Sequence, residues 1–299
     1  MLRFVTRSLC IAIGLCTCSF LAVAQTVQTI APLIAPDGLT VDTAGNLYAT
    51  QYKAPPELGT IFRIDEEGTV TVHVADQPGP ADVIFDKAGN LYVSNYNSNS
   101  IERIRPDGTI ERFASRLNGP IGLAFDQDEN LYVLNDLEPT IKKISPNGEV
   151  SHYATINGLG FGSGLTIDED GALYAATYSS GRIYKVATDG TVSVFADTQR
   201  GGLGFVLHVN GQFFATGIQS NRIYRITADG EVSTYAGTGI AGRADGPAAT
   251  AQFNTPNGLA ASVTGDTLFI ADGGAGMRMI TPPVITAQET PHLPPQLST

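Results

Sequence analysis

The sequence predicts an all-β fold, a six-bladed β-propeller of four-stranded blades closed by its own first strand. Three observations carry that expectation. A segment recurs six times at a spacing of about 40 residues. Each copy holds an aromatic residue in the same place. The sixth copy lacks a strand, and residues 26–31 match the missing one.

The repeats begin at Gly38, Asp82, Gly122, Gly164, Gly204 and Gly258, so successive starts are 44, 40, 42, 40 and 54 residues apart. Five of them continue as apolar inner strands such as Gly38-Leu39-Thr40-Val41-Asp42 and Gly164-Leu165-Thr166-Ile167-Asp168, and the fifth as Gly204-Phe205-Val206-Leu207-His208 is aligned with them. A second strand carries Tyr48, Tyr92, Tyr132, Tyr174, Phe214 or Phe269, and a third reads like Ile61-Phe62-Arg63-Ile64. Between third and fourth strands stand Glu67-Gly68, Asp107-Gly108, Asn147-Gly148, Asp189-Gly190 and Asp229-Gly230. Glycine there supplies the positive φ of a tight hairpin turn. Four short strands per unit without a helical period describe a propeller blade.

Closure follows from counting strands. The sixth unit runs through Met277-Arg278-Met279-Ile280 and then into proline-rich sequence. Thr26-Val27-Gln28-Thr29-Ile30-Ala31 matches Glu231-Val232-Ser233-Thr234-Tyr235-Ala236, including the final alanine. Joining the first strand to the last blade leaves no open edge between the chain ends. The propeller is therefore expected over residues 25–280. Residues 281–299 hold five of the seventeen prolines and are expected to be a disordered tail.

Residues 1–24 have the layout of a secretory signal peptide: Arg3 and Arg7, an apolar run from Leu9 to Val23, then Ala22-Val23-Ala24. Secretion, or export to the periplasm, is the expectation. All the cysteines (Cys10, Cys16 and Cys18) lie in that leader, so the remaining chain has no thiol for a disulfide or a thiolate metal site. Losing the leader takes the formal charge from −11 to −13. An acidic surface without a basic stripe argues against nucleic acid and anionic membranes as partners, and the chain is expected to be a monomer.

Pro36 to Leu39, Pro120 to Leu123 and Pro256 to Leu259 share a Pro-x-Gly-Leu pattern, and Gly-Asn-Leu-Tyr opens two second strands, at Gly45 and Gly89. With the stretch Ala236 to Pro247 and Gln252 to Pro256, these features make residues 26 to 280 resemble the NHL-repeat family of propellers. More loosely the chain is similar to the six-bladed gluconolactonase and senescence-marker superfamily. That second resemblance implies a divalent metal at the channel mouth, held by a Glu, Asn and Asp set. Asn257 and Asp37 match its motif environments, whereas Glu-Gly-Pro-x-Trp is absent and the chain has no tryptophan.

In such a blade, loops joining second to third and fourth to first strands share one face, and here those loops vary. Variation on a rigid scaffold is where binding usually lives. The candidate ligand face comprises Tyr52, Asn95, Tyr96, Asn135, Asp136, Ser163 and Asp272. Inner strands start at that mouth, where Asp37, Asp82 and Asn257 are candidate ligands for Ca2+ or another divalent cation. The competing reading is that Asp and Asn cap the turns before these strands.

Gly237-Thr-Gly239-Ile-Ala-Gly242 spells a dinucleotide fingerprint, but Arg243-Ala-Asp-Gly-Pro247 follows instead of a helix, so the loop is read as structural. The basic column (Arg63, Arg103, Lys143, Lys185, Arg225) is expected to pair with the aspartate column (Asp42, Asp86, Asp126, Asp168). The histidines fall in different repeats, which leaves a histidine-dependent lyase without a convergent pair. Beside that lyase reading stand two further function classes, of which the first is preferred. One is a binding or interaction module whose ligand at the mouth is a small molecule, a carbohydrate or a protein. The other is a metal-dependent hydrolase of a lactone or ester, in which the cation would polarise the carbonyl.

Overall fold

The computed structural model describes residues 21–22, 25–33, 36–282 and 285–286. The expected leader and tail lie almost wholly outside the described residues; of them, Leu21–Ala22 pairs antiparallel with Ile285–Thr286. The rest is a six-bladed propeller of antiparallel sheets. Blade one runs Leu39–Val41, Leu47–Gln51, Gly59–Ile64 and Val70–Gln77, from the channel outward, and blades two to five repeat the order. Each inner strand contacts the inner strands of both neighbouring blades, so the ring closes. Among the described residues no helix is long and apolar enough to cross a membrane.

Alternation along each strand sends one set of side chains into the seam with the next blade. The aromatic column fills those seams edge to face: Tyr48 meets Phe85 of blade two at 5.0 Å, and Tyr92 meets Phe125 of blade three at 5.1 Å. The aspartate column caps turns, and among the described residues its pairing with the basic column comes down to one ion pair. Asp42 Oδ1 accepts the N–H groups of Ala44 and Asn46, and Asp86, Asp126 and Asp168 repeat the arrangement. An Asx turn uses the carboxylate locally and leaves little of it for a cross-strand cation. Lys143 does reach Asp126, at 3.6 Å. Arg63 goes to Asn46, Arg103 to Glu111, and Lys185 lies over the Tyr174 ring.

Blade six closes as expected. Thr26–Ala31 pairs with Gly276–Thr281 in the register Thr26 to Thr281, Val27 to Ile280 and Gln28 to Met279. The long loop after residue 236 adds Gly246–Pro247 as a fifth strand against Thr26–Val27. Its Gly-x-Gly-x-x-Gly segment leads into that strand and not into a helix. Arg278, fully buried, binds the loop to the blade. Its Nη1 donates to Asp272 Oδ2 (3.2 Å) and the Gln252 carbonyl (2.9 Å), and its Nη2 to Asp245 Oδ1 (2.7 Å). Asp245 in turn accepts the N–H and Oγ1–H of Thr29 on the closing strand, each at 3.0 Å.

Candidate functional site

Each second strand registers its inner strand. Thr40 faces Tyr48, Ile84 faces Tyr92, Thr166 faces Tyr174 and Leu207 faces Phe214. Two steps earlier along the inner strands stands a column of glycines, Gly38, Gly122, Gly164 and Gly258. A Cβ on Gly38 would lie 2.5 Å from the Ala81 carbonyl oxygen, and one on Gly164 would lie 2.6 Å from the Phe205 Cα. Glycine lets the inner strands approach this closely.

Asp82 and Phe205 interrupt that column. The register moves the fifth repeat by one residue from its sequence alignment, because the Asn210-Gly211 hairpin is a residue shorter than its counterparts, with Val209 paired directly to Gln212. His208 consequently stands where Ile167 does, not in the aspartate column. It lines the other end of the channel, 3.4 Å from Glu169.

The residue before the glycine column opens onto the variable face. These residues are Asp37, Ala81, Ile121, Ser163, Gly204 and Asn257, and all but Gly204 line a mouth cavity of about 460 Å3. A second, outer ring comes from the residue after each second strand: Tyr52, Tyr96, Asp136, Tyr178 and Ile218. Phe205 forms part of the floor and Phe161 part of the wall.

The predicted site residues therefore separate into two groups. Asp37, Tyr52, Tyr96, Asp136, Ser163 and Asn257 meet at the mouth. Asn95, Asn135 and Asp272, one residue earlier than the outer ring, are fully buried. They hold loops: Asn95 Nδ2 donates to Gln77 Oε1, Asn135 Oδ1 accepts the Asn118 N–H, and Asp272 takes Arg278 and the Asn254 N–H. A one-residue step along a strand reverses the direction of the side chain. Tyr178, Ile218, Phe161 and Phe205 were not in the predicted set. The first two follow the second strand in the same register as Tyr52 and Tyr96, which was the signal available.

The metal candidates divide in the same way. Asp37 Oδ1 accepts Asn257 Nδ2–H at 3.0 Å and its Oδ2 accepts the Tyr52 N–H at 2.8 Å. Asp82 lies one residue deeper, 4% exposed, lining the cavity at the opposite end. Its Oδ1 accepts the Val83 N–H and its Oδ2 the Leu123 N–H of blade three. Burial pushes the Asp82 carboxyl up to about 8, against the pull of those two N–H groups. Burial also raises Asp37, to about 6. Among the described residues no three His, Cys, Asp or Glu side chains gather as a metal site.

Asp136 Oδ1 accepts the Gly162 N–H at 3.0 Å, and its Oδ2 accepts Tyr96 Oη–H at 3.0 Å. Burial raises its pKa as well, and the Tyr96 hydroxyl is pushed up to about 12 by burial and by this carboxylate. Ser163 is 7% exposed, and its Oγ has no hydrogen-bond partner. Phe161 and Tyr178 are 60% and 45% exposed at the rim. The arrangement is an apolar, aromatic bowl with a few fixed polar groups, suited to enclosing a small molecule.

Solved structures share this fold. An auxiliary nutrient binding protein from Bacteroides ovatus superposes with a TM-score of 0.74 at 17% identity, over 87% of this chain and 77% of that one. A gluconolactonase from Xanthomonas campestris gives 0.72 at 16%, over 88% and 91%. A catalytically inactive histidine-to-alanine variant of virginiamycin B lyase from Staphylococcus aureus, with quinupristin, gives 0.60 at 19%, over 82% and 80%. At such identities these likenesses speak for the fold alone. No curated protein matches the chain in sequence. The model of the Virginiamycin B lyase family matches residues 23–253, most of the propeller, and the chain belongs to that family.

Proposed function

We propose that the chain is a secreted or periplasmic binding propeller that holds a small molecule in the mouth on its variable face. One observation carries this reading. The mouth is a bowl of about 460 Å3 walled by Tyr52, Tyr96, Phe161, Tyr178 and Ile218, with Asp37, Asp136 and Asn257 held in fixed positions by hydrogen bonds. A concave, largely apolar cavity with a few fixed polar groups is the usual form of a small-molecule site. Proteins that resemble the chain include nutrient-binding ones, which agrees with the reading.

Two features weigh against catalysis of the related kinds. A metal-dependent hydrolase would have Asp37, Asp82 and Asn257 share a cation, yet Asp82 directs both oxygens to backbone N–H groups away from the mouth. That donor set does not fit a hard cation, which takes six to eight oxygens. The lyase relative loses activity with a histidine, whereas the histidines among the described residues here line other surfaces than the mouth.

The test is retention of a ligand. The mature protein is incubated with a small-molecule extract, desalted and denatured, and the released compounds are identified by mass spectrometry. A compound should be released from the wild type and be missing from Ala81→Trp and Ile121→Trp, which fill the mouth. Identical profiles from all three proteins would overturn the proposal. Turnover of simple lactones that rises with added calcium would favour the hydrolase instead.

A further inference from the structure

Charge at the mouth is unbalanced. Asp37 and Asp136 are the charged side chains lining it. Their four oxygens are met by neutral donors alone: the Tyr52 and Gly162 N–H groups, the Asn257 amide and the Tyr96 hydroxyl. Asp272, buried in blade six, is by contrast paired with a cation, Arg278. At the mouth no lysine or arginine among the described residues pairs with either acid. Desolvated carboxylates without a positive neighbour favour a ligand that brings one.

The walls say which kind of cation. Tyr52, Tyr96, Tyr178 and Phe161 surround the acids, and aromatic faces attract organic cations through their quadrupoles. A neutral sugar could use the same faces but would leave both charges unbalanced. We infer that the ligand carries a protonated amine or quaternary ammonium on an apolar body, with its charge at Asp37 and Asp136. This rests on the mouth being the binding site, as proposed above.

Isothermal titration calorimetry of the mature protein with three probes sharing one body tests it: 1-naphthylmethylammonium, 1-naphthalenemethanol and 1-naphthoate. The ammonium should bind about tenfold more tightly than the alcohol, and the carboxylate should give no heat at millimolar concentration. Asp37→Asn, which keeps an acceptor for the Tyr52 N–H, should bring the ammonium down to the alcohol's affinity. Ala81→Trp, or Ile121→Trp if the first folds poorly, should abolish binding. Equal affinities for ammonium and alcohol, both lost in Ala81→Trp, would overturn the charge preference and leave the mouth as a binding site. Displacement of the ammonium by calcium chloride would also overturn it, in favour of a metal. Absence of binding by all three probes, or binding that neither filling variant disturbs, would sink both readings.

Discussion

The same inner strands line both ends of the channel, yet the two ends are built from different positions along them. On the variable face, residues before the glycine column present Asp37, Ser163 and Asn257 beneath a rim of exposed aromatics. Toward the other face, residues after it present Leu39, Val83, Leu123, Leu165, Val206 and Leu259 around a cavity of about 350 Å3. Those six side chains vary little from blade to blade because each packs into a seam between blades. The mouth is free of that duty: its side chains stand where backbones have already met through glycine, so their identity is open to a ligand. Phe205 lines both cavities, and Asp82 belongs to the far one although its neighbour in sequence, Ala81, belongs to the mouth.

Phe205→Ala tests the division most severely. Phe205 is 6% exposed, and removing such a ring from a packed interior costs about 3–5 kcal/mol. Urea unfolding should show that loss, together with weaker binding at the mouth as its floor opens. A loss below about 1 kcal/mol would mean that this ring does not separate the two ends.

The buried acids give a second, smaller contrast through pH. Asp82 has a folded pKa of about 8 against 3.8 for the unconstrained group. The folded protein therefore holds a proton that the unfolded chain releases. Its contribution is complete below about pH 4 and disappears as pH rises through about 8, with a slope of at most about 1.4 kcal/mol per pH unit. Asp37 acts in the same direction over a window that ends near 6. Melting temperatures of Asp82→Asn should lose the decline between pH 6 and about 8, and those of Asp37→Asn should retain it. Equal slopes in the two variants would contradict the deeper burial of Asp82.

His208→Gln should have the smallest effect on function. His208 lines the far cavity and not the mouth, and the effect of its replacement on affinity for 1-naphthylmethylammonium should stay within about twofold, as expected for independent sites. A larger change would mean that the two ends communicate.

The propeller was legible in the sequence because its signals repeat: Asp-Gly turns, the aromatic column and the orphan strand at Thr26–Ala31 reinforce one another across six copies. The site was legible in part. Tyr52, Tyr96, Asp136, Ser163 and Asn257 follow from strand order alone. Asp82 was misplaced relative to the mouth because the repeat alignment already put it in the glycine column, one residue past Asp37, and a single step in a strand changes which cavity a side chain enters. Asn95, Asn135 and Asp272 posed the same difficulty at the far end of the second strand. Blade five hid Phe205 for another reason, since a turn shortened by one residue shifts every inner-strand position without altering the apolar character of the run.

The Arg278 junction also has a consequence in time. Thr29 and Asp245, which it brings together, are separated by 216 positions along the chain. The strand made among the first is thus the last to find its partners, and it must wait until nearly all other blades exist. During that wait it is a free edge, the kind of segment that recruits strands from other molecules. Its composition suits the delay: Thr26, Gln28 and Thr29 break up Val27, Ile30 and Ala31, keeping the unpaired strand wettable. Loop-closure entropy grows only with the logarithm of length, so the long wait adds little to the cost of ring closure. What it does impose is an order of events, in which the barrel of blades is complete before the clasp can shut.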